Sequence, residues 1–189
     1  MLFLLMGHFS LATSGLMGQR PLIQAISFVL IMVSFLFLNT LSTITSKRLA
    51  ILIPFLYLIS PASDDINRYI WEGQMLLEGI NPYLSSPSSA DLIQYRDDLF
   101  WPSINHKNLT AAYPPIVQWV FASVLSIGAS PYWSIKILML VFFLMSSLGI
   151  WKALHHMKMK QHRVLLWAAN PFALVFLVGE AHFDVMMIC

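Results

Sequence analysis

Long stretches of this chain contain no Asp, Glu, Lys or Arg, and this feature limits its possible folds more than any other. Charged residues form 11% of the sequence and hydrophobic residues 58%, whereas soluble domains carry about 25% charged residues. Several uncharged runs reach the roughly 20 residues that a helix needs to cross a bilayer. The chain is therefore predicted to be an all-α, polytopic bundle of transmembrane helices. The uncharged runs are residues 1–19, 21–46, 49–63, 108–135, 137–151 and 164–179.

The acidic residues are concentrated in one hydrophilic segment. Residues 61–112 hold seven of the nine acids and three of the eleven bases, a net charge of −4, so the rest of the chain carries +6. This distribution predicts that the chemistry, or a partner surface, lies in this segment. It also predicts three parts: N-terminal transmembrane helices in residues 1–60, the hydrophilic loop in 61–112, and C-terminal transmembrane helices in 113–189. The total charge of +2 does not suggest a nucleic-acid partner.

Turn and capping residues predict where the helices lie. In the loop, the acids after Ser63 favour a helix start, and Gly79 and Pro82 favour its end. The chain stops inside apolar sequence at Cys189, which predicts a truncated member of something longer. The predicted loop helices are 65–77 and a short interfacial one at 91–100. The predicted spans are 21–41, a weaker one at 2–17, a short one at 49–59 kinked by Pro54, and 113–127, 133–154 and 164–183.

Asp65, Arg68 and Glu72 are spaced so that they share one face of the predicted loop helix. One interpretation is a carboxylate that Arg68 holds toward a reacting group. The alternative is an interfacial amphipathic helix with ordinary exposed ion pairs. Asp64 and Asp65 could also help to bind a divalent cation, although hard cations prefer more oxygen ligands than these two supply. No ligand pattern for a resident metal is present.

Two further polar groups lie in the C-terminal part. Glu180, His182 and Asp184 interrupt an apolar run, and ionisable groups at membrane depth usually face a cavity or a substrate path. The other group is a basic segment whose side chains are suited to lipid phosphate. Six alternating spans would place this segment and the acidic loop on one side of the membrane, which conflicts with the positive-inside tendency for an outward loop. The basic segment contains Lys152, His155, His156, Lys158, Lys160, His162 and Arg163.

Several short motifs together resemble those of bacterial GT-C type glycosyltransferases. The most specific is SDDINRYIWEG at residues 63–73. GT-C enzymes of this kind span the membrane many times and use a polyprenyl-phosphate sugar, and the nearest similarity is to the mannosyltransferase-like branch. The other motifs are GINPY at 79–83, NH at 105–106, YPP at 113–115, NP at 170–171 and GEAHFD at 179–184.

The resemblance implies an acidic motif in an extracytoplasmic loop and transfer with inversion, with polyprenyl phosphate as the leaving group. Asp65 matches the motif acid best and Asp64 is its rival; this acid would be the general base. Arg68 would orient that carboxylate or meet the donor phosphate. The other residues expected to contact donor phosphate or substrate are Glu72, Tyr113, His182, Asp184, Lys158, Lys160 and Arg163.

The expected partners are the polyprenyl-linked sugar donor, a glycan or lipid acceptor, and membrane lipids. The expected location is the inner membrane. Two alternatives stay open: a transporter or flippase-like subunit whose polar path is lined by Glu180, His182 and Asp184, and an inactive fragment of a longer enzyme.

Overall fold

The computed structural model describes residues 2–14, 21–37, 40–128 and 130–188, and over these ranges it contains helices and no strands. The predicted all-α class is confirmed. The helices are α1 (Leu2–Ser14), α2 (Pro21–Phe35), α3 (Thr43–Leu56), α4 (Asp65–Leu77), α5 (Pro115–Leu125), α6 (Pro131–His156), α7 (Leu165–Ala168) and α8 (Pro171–Ala173). Short 3-10 turns occur at Tyr57–Ile59, Ala90–Tyr95, Trp101–Ser103, Gln161–Val164 and Phe183–Met187, and Leu174–Gly179 is π-helical.

Helix length gives limited support for many membrane crossings. Within the described ranges, α6 is the one helix both long and apolar enough to span a bilayer. Gln161–Ala168 and Pro171–Gly179 make a second span if they are counted as one helix bent by 47°. The helices α1, α2 and α5 are apolar but have only 13, 15 and 11 residues. A polytopic bundle therefore stays a prediction.

One face of α6 presents large apolar side chains to the surroundings. These residues recur every three or four positions, which places them in one stripe along the helix. Exposure of a continuous apolar stripe of this length to water is unfavourable, whereas its contact with lipid chains is favourable. The stripe therefore favours a membrane location for α6. It consists of Trp133, Ile137, Val141, Met145 and Leu148, each 45–54% exposed.

The predicted 21–41 and 49–59 spans are the shorter helix Pro21–Phe35 and the earlier-starting helix Thr43–Leu56. Three further predicted elements also differ from those observed. The predicted 113–127 span is the 11-residue helix α5, about 16 Å long and too short to cross a bilayer. The predicted 164–183 span is broken because Asn170 Oδ1 accepts hydrogen bonds from the N–H groups of Phe172 and Ala173 and starts a new helix there. The predicted 91–100 helix ends at Tyr95, and the Asp97 carboxylate then forms a turn by accepting the Leu99 N–H at 2.7 Å.

The chain divides into two compact units, Met1–Pro61 with Met139–Cys189, and Ala62–Leu138. In the first unit, α1 packs on α2, and His8 Nδ1 lies 2.8 Å from the Tyr57 hydroxyl. In the second, α4 packs so closely on α5 that a Cβ added at Gly73 would lie 2.7 Å from a Leu125 methyl carbon. Because the backbones approach at Gly73, one side of α4 is fixed against α5.

The hydrophilic loop packs against another side of α4. Trp71 and Met75 of this helix form a buried apolar cluster with Leu92 and Ile104, which come from the loop. The predicted 65–77 helix is confirmed in full, and Gly79 adopts the left-handed conformation (φ +75°) expected of a residue that ends a helix. The loop and α5 therefore hold α4 between them, which fixes the start of the helix.

Candidate functional site

The first turn of α4 carries the two adjacent acids of the SDD motif. Asp64 precedes the helix and its side chain is exposed. Asp65 is the first helical residue and is partly buried, and its Oδ1 accepts a hydrogen bond from the side-chain amide of Asn105, 40 residues later in the chain. The structure therefore fixes Asp65 in one orientation and leaves Asp64 at the surface.

Tyr113 lies near this acid and packs against Tyr69 of α4. The rings of Tyr69 and Tyr113 meet edge to face, with their centroids 5.3 Å apart. Burial, together with the nearby negative charge of Asp65, raises the pKa of the Tyr113 hydroxyl to about 12. The Tyr83 hydroxyl donates a hydrogen bond to the Tyr113 carbonyl oxygen. Asp65, Asn105 and Tyr113 therefore form one polar group at the start of α4.

A buried ion pair lies one and two turns further along α4. Arg68 Nε donates to Glu72 Oε1 at 2.6 Å, and the two side chains are only 6% and 2% exposed. Gln118 of α5 donates to the second Glu72 oxygen. Burial raises the pKa of the Glu72 carboxyl, while the bonds from Gln118 and Arg68 act to lower it. The alternative of an amphipathic helix with ordinary exposed ion pairs is therefore wrong for this pair.

The remaining Arg68 nitrogens bind the backbone of the loop. Nη1 donates to the His106 carbonyl at 2.9 Å, and Nη2 donates to the carbonyls of Leu109 and Thr110 at 2.8 and 2.7 Å. His106 has a positive φ of 46°, which non-glycine residues seldom adopt. Arg68 therefore holds residues 105–110, and through them Asn105, the residue that binds Asp65.

Sequence reasoning did not identify Lys136, a buried cation in the same unit. This residue lies in the second turn of α6 with no exposed surface, and its Nζ is 6.0 Å from the centre of the Tyr132 ring. A signal was present, because Lys136 is the one charged residue between positions 108 and 151. Ionisable groups in such apolar runs usually have a function. Asn105 belongs to the NH motif at 105–106, but its role as the partner of Asp65 did not follow from the sequence, and Gln118 gave no signal, since the partners of both residues are distant in sequence.

The predicted site residues fall into both compact units. Asp64, Asp65, Arg68, Glu72 and Tyr113 lie in Ala62–Leu138, and the others lie in the first unit. There, His182 Nε2 is 3.3 Å from Glu180 Oε2, and the intervening Ala181 is buried with a positive φ of 62°. Asp184, Lys158, Lys160 and Arg163 are exposed. Their substrate contacts stay predictions.

Over the described part of the chain, no group of three or more His, Cys, Asp or Glu side chains is placed to hold a metal ion. His155, His156 and His162 are included in this statement, whereas Cys189 lies outside the described residues. A divalent cation bound with the help of Asp64 and Asp65 stays a prediction.

Comparison with known proteins agrees with the motifs. A family model described as "Alpha-(1->6)-mannopyranosyltransferase, N-terminal domain" matches residues 4–189, which is nearly the whole chain. No curated protein and no solved structure gives a significant match. The predicted similarity to mannosyltransferases is confirmed by the family match.

Proposed function

Because the chain belongs to the alpha-(1->6)-mannopyranosyltransferase family, we propose that it is a GT-C type membrane enzyme, or the N-terminal part of one. It transfers a mannosyl group from a polyprenyl-phosphate donor to a hydroxyl of a glycan or lipid acceptor, with inversion at the anomeric carbon. The observation that carries this proposal is the carboxylate of Asp65, fixed by Asn105 beside Tyr113 in the acidic loop.

In the proposed reaction, Asp65 is the general base. Its carboxylate accepts the proton of the acceptor hydroxyl while that oxygen forms a bond to the anomeric carbon of the donor. The bond between that carbon and the phosphate oxygen breaks, and polyprenyl phosphate leaves with the electron pair. The acceptor approaches opposite the leaving group, so the anomeric configuration inverts. Asp65 must therefore be held in a fixed direction, which its bond from Asn105 supplies.

The charged residues around Asp65 have different roles in this proposal. The Nε, Nη1 and Nη2 atoms of Arg68 all donate to protein oxygens, so we assign Arg68 to holding the 105–110 segment. Glu72 completes that arrangement from inside the helix pair. Lys136 is a second buried cation of the same unit and is the candidate for stabilising charge on the leaving phosphate. His182 and Asp184 stay candidates for contact with the sugar or the phosphate.

Charge placement supports an extracytoplasmic acidic loop. Within the first unit, Lys47 at the start of α3 lies over Trp151, one residue before the basic segment. With α5 too short to cross, the proposed orientation places Lys47 and the basic segment on the cytoplasmic side, in agreement with the positive-inside tendency. In this orientation Lys158, Lys160 and Arg163 are not assigned to the donor phosphate, which binds on the side of the loop.

Cysteine labelling tests this orientation. In a Cys189→Ser background, Ser88→Cys in the exposed loop is expected to react with a membrane-impermeant thiol reagent in intact cells. Met157→Cys, which is 65% exposed in the basic segment, is expected to react only after the cells are opened. Both positions are at the surface, so each serves as the accessibility control for the other. The reverse pattern would contradict the outward loop and with it the proposed base.

A donor assay tests the function itself. Membranes containing the complete protein are supplied with an acceptor and either polyprenyl-phosphate mannose or a nucleotide-linked mannose, and the product linkage is determined by NMR. We expect product from the lipid-linked donor only, with inverted configuration. Product from the nucleotide donor would contradict the proposed donor, and movement of substrate without a new bond would favour the transporter alternative. A loss of activity with EDTA that Mg²⁺ restores would show the predicted divalent cation.

A further inference from the structure

An apolar cavity of about 390 Å³ lies in the first unit between α3 and α6. Ala50 and Ile51 line it from α3, and Leu144 and Leu148 line it from α6. Its volume is within the range of about 300–1,000 Å³ common for small-molecule sites. We call this cavity, with Lys47 and Trp151 at one end, the Lys47 groove.

The polar end of the Lys47 groove is ordered by a chain of contacts. Lys47 Nζ lies 3.9 Å from the centre of the Trp151 ring. The Trp151 indole N–H donates to Gln161 Oε1 at 3.1 Å, and Gln161 Nε2 lies 2.6 Å from His155 Nδ1. Each of these groups fixes the next one, so a cation is held at the mouth of an otherwise apolar groove.

Positive charge surrounds this end without any acidic side chain in the flanking sequence. Residues 1–63 and 130–179 contain no Asp or Glu. A ligand at the mouth of the groove is therefore expected to be an anion. The basic residues at this end of α3 and α6 and in the turn after α6 are Lys47, Arg48, Lys152, Lys158, Lys160 and Arg163.

The apolar walls continue onto the surface that favours lipid. Ile51 and Leu148 line the groove but remain 54% and 50% exposed. Leu148 also belongs to the exposed apolar stripe of α6, so the groove opens sideways onto that stripe. A hydrocarbon chain can enter along this route while a charged headgroup stays at Lys47. A basic site between helices next to the membrane surface is suited to anionic lipid headgroups.

We propose that the Lys47 groove binds an anionic phospholipid, with one acyl chain against Ile51 and Leu148 and the phosphate at Lys47. This lipid is different from the sugar donor. The donor reacts at Asp65, which belongs to Ala62–Leu138, whereas every residue that lines the groove belongs to the other compact unit. The site therefore does not depend on the proposed transfer reaction, and binding can be measured without it.

The binding experiment uses the purified full chain in detergent and three probes: phosphatidylglycerol and phosphatidylcholine with brominated acyl chains, and inorganic phosphate. The quenching of Trp151 reports an acyl chain in the groove that it lines, and it is measured as the difference from a Trp151→Phe control, because Trp119 and Trp133 are also exposed. We expect phosphatidylglycerol to bind about five-fold more tightly than phosphatidylcholine, the effect of one cation near an anionic lipid. Phosphate is expected to compete weakly.

Paired variants test each end of the groove. Lys47→Gln is expected to remove the preference for phosphatidylglycerol, while Lys152→Gln, an exposed cation outside the lining, retains it. Leu148→Gln is expected to weaken both lipids, while Met145→Gln on the same exposed stripe does not. Equal phosphatidylglycerol affinity in wild type and Lys47→Gln would overturn the proposal. Equal quenching by the two lipids would also overturn it. Competition by inorganic phosphate as strong as that by lipid would overturn it too, because it would indicate a site for free phosphate.

Discussion

Asp65→Asn is expected to lower mannosyl transfer by about 10²–10⁴-fold, the usual contribution of a general base. The amide has nearly the shape of the carboxylate, and its oxygen can still accept the hydrogen bond from Asn105 that the structure shows. It cannot accept a proton from the acceptor hydroxyl. The fold and membrane insertion should therefore survive while the chemical step is lost. The measurement is the initial rate with polyprenyl-phosphate mannose, together with the thermal unfolding midpoint of the purified protein.

Two acids near the same helix provide matched controls for Asp65→Asn. Asp64→Asn changes the exposed neighbour, and Glu78→Gln changes an exposed acid just after α4. Both are expected to retain most of the transfer activity. Asn105→Ala should reduce kcat with little change in KM, because the Asp65 carboxylate keeps its charge but loses the hydrogen bond that fixes its orientation. If Asp64→Asn loses activity and Asp65→Asn retains it, the general base is Asp64.

The sequence predicted α4 accurately because its signals are local. The acids at its start and Gly79 and Pro82 after its end mark a helix whose observed bounds are Asp65–Leu77. The shared face of Asp65 and Arg68 also followed from spacing. The partners of these side chains did not, because Asn105 and the 106–110 carbonyls are 37–42 residues away from Arg68 or Asp65. Tertiary packing, which local patterns do not contain, brings them together.

Hydropathy was least informative about helix length. The run from 108 to 135 is uncharged throughout, and it contains both the short helix α5 and the start of α6. Apolar composition cannot distinguish a spanning helix from a short one that packs against another, as α5 does against α4 at Gly73. The Asn170-Pro171 pair did carry a helix-start signal inside the predicted last span, and the structure breaks at that pair.

Removal of the Arg68 charge is expected to be the most damaging single change to the loop. Arg68→Met retains an unbranched apolar stem but leaves the Glu72 carboxylate buried with Gln118 alone, and it removes the donors to the His106, Leu109 and Thr110 carbonyls. Breaking a buried ion pair from one side costs about 3–5 kcal/mol of folding free energy. The measurement is denaturant unfolding of the purified protein. Arg96→Met provides the control, since Arg96 donates to one carbonyl, that of Ser89, and should cost less.

The Arg68→Met defect is also expected to depend on pH in a defined direction. Burial already raises the pKa of Glu72, and Arg68 opposes that rise, so its removal raises the pKa further. A carboxyl whose pKa is higher in the folded state contributes stability that is complete below its unfolded pKa and is lost as pH rises through its folded pKa. The deficit in folding free energy of Arg68→Met relative to wild type should therefore be larger at pH 8 than at pH 5.

Adding Glu72→Gln should remove this difference between the two pH values, because no buried carboxylate then remains to be ionised. An Arg68→Met deficit that is equal at both pH values would show that the loss comes from the loop carbonyls rather than from the unpaired charge of Glu72.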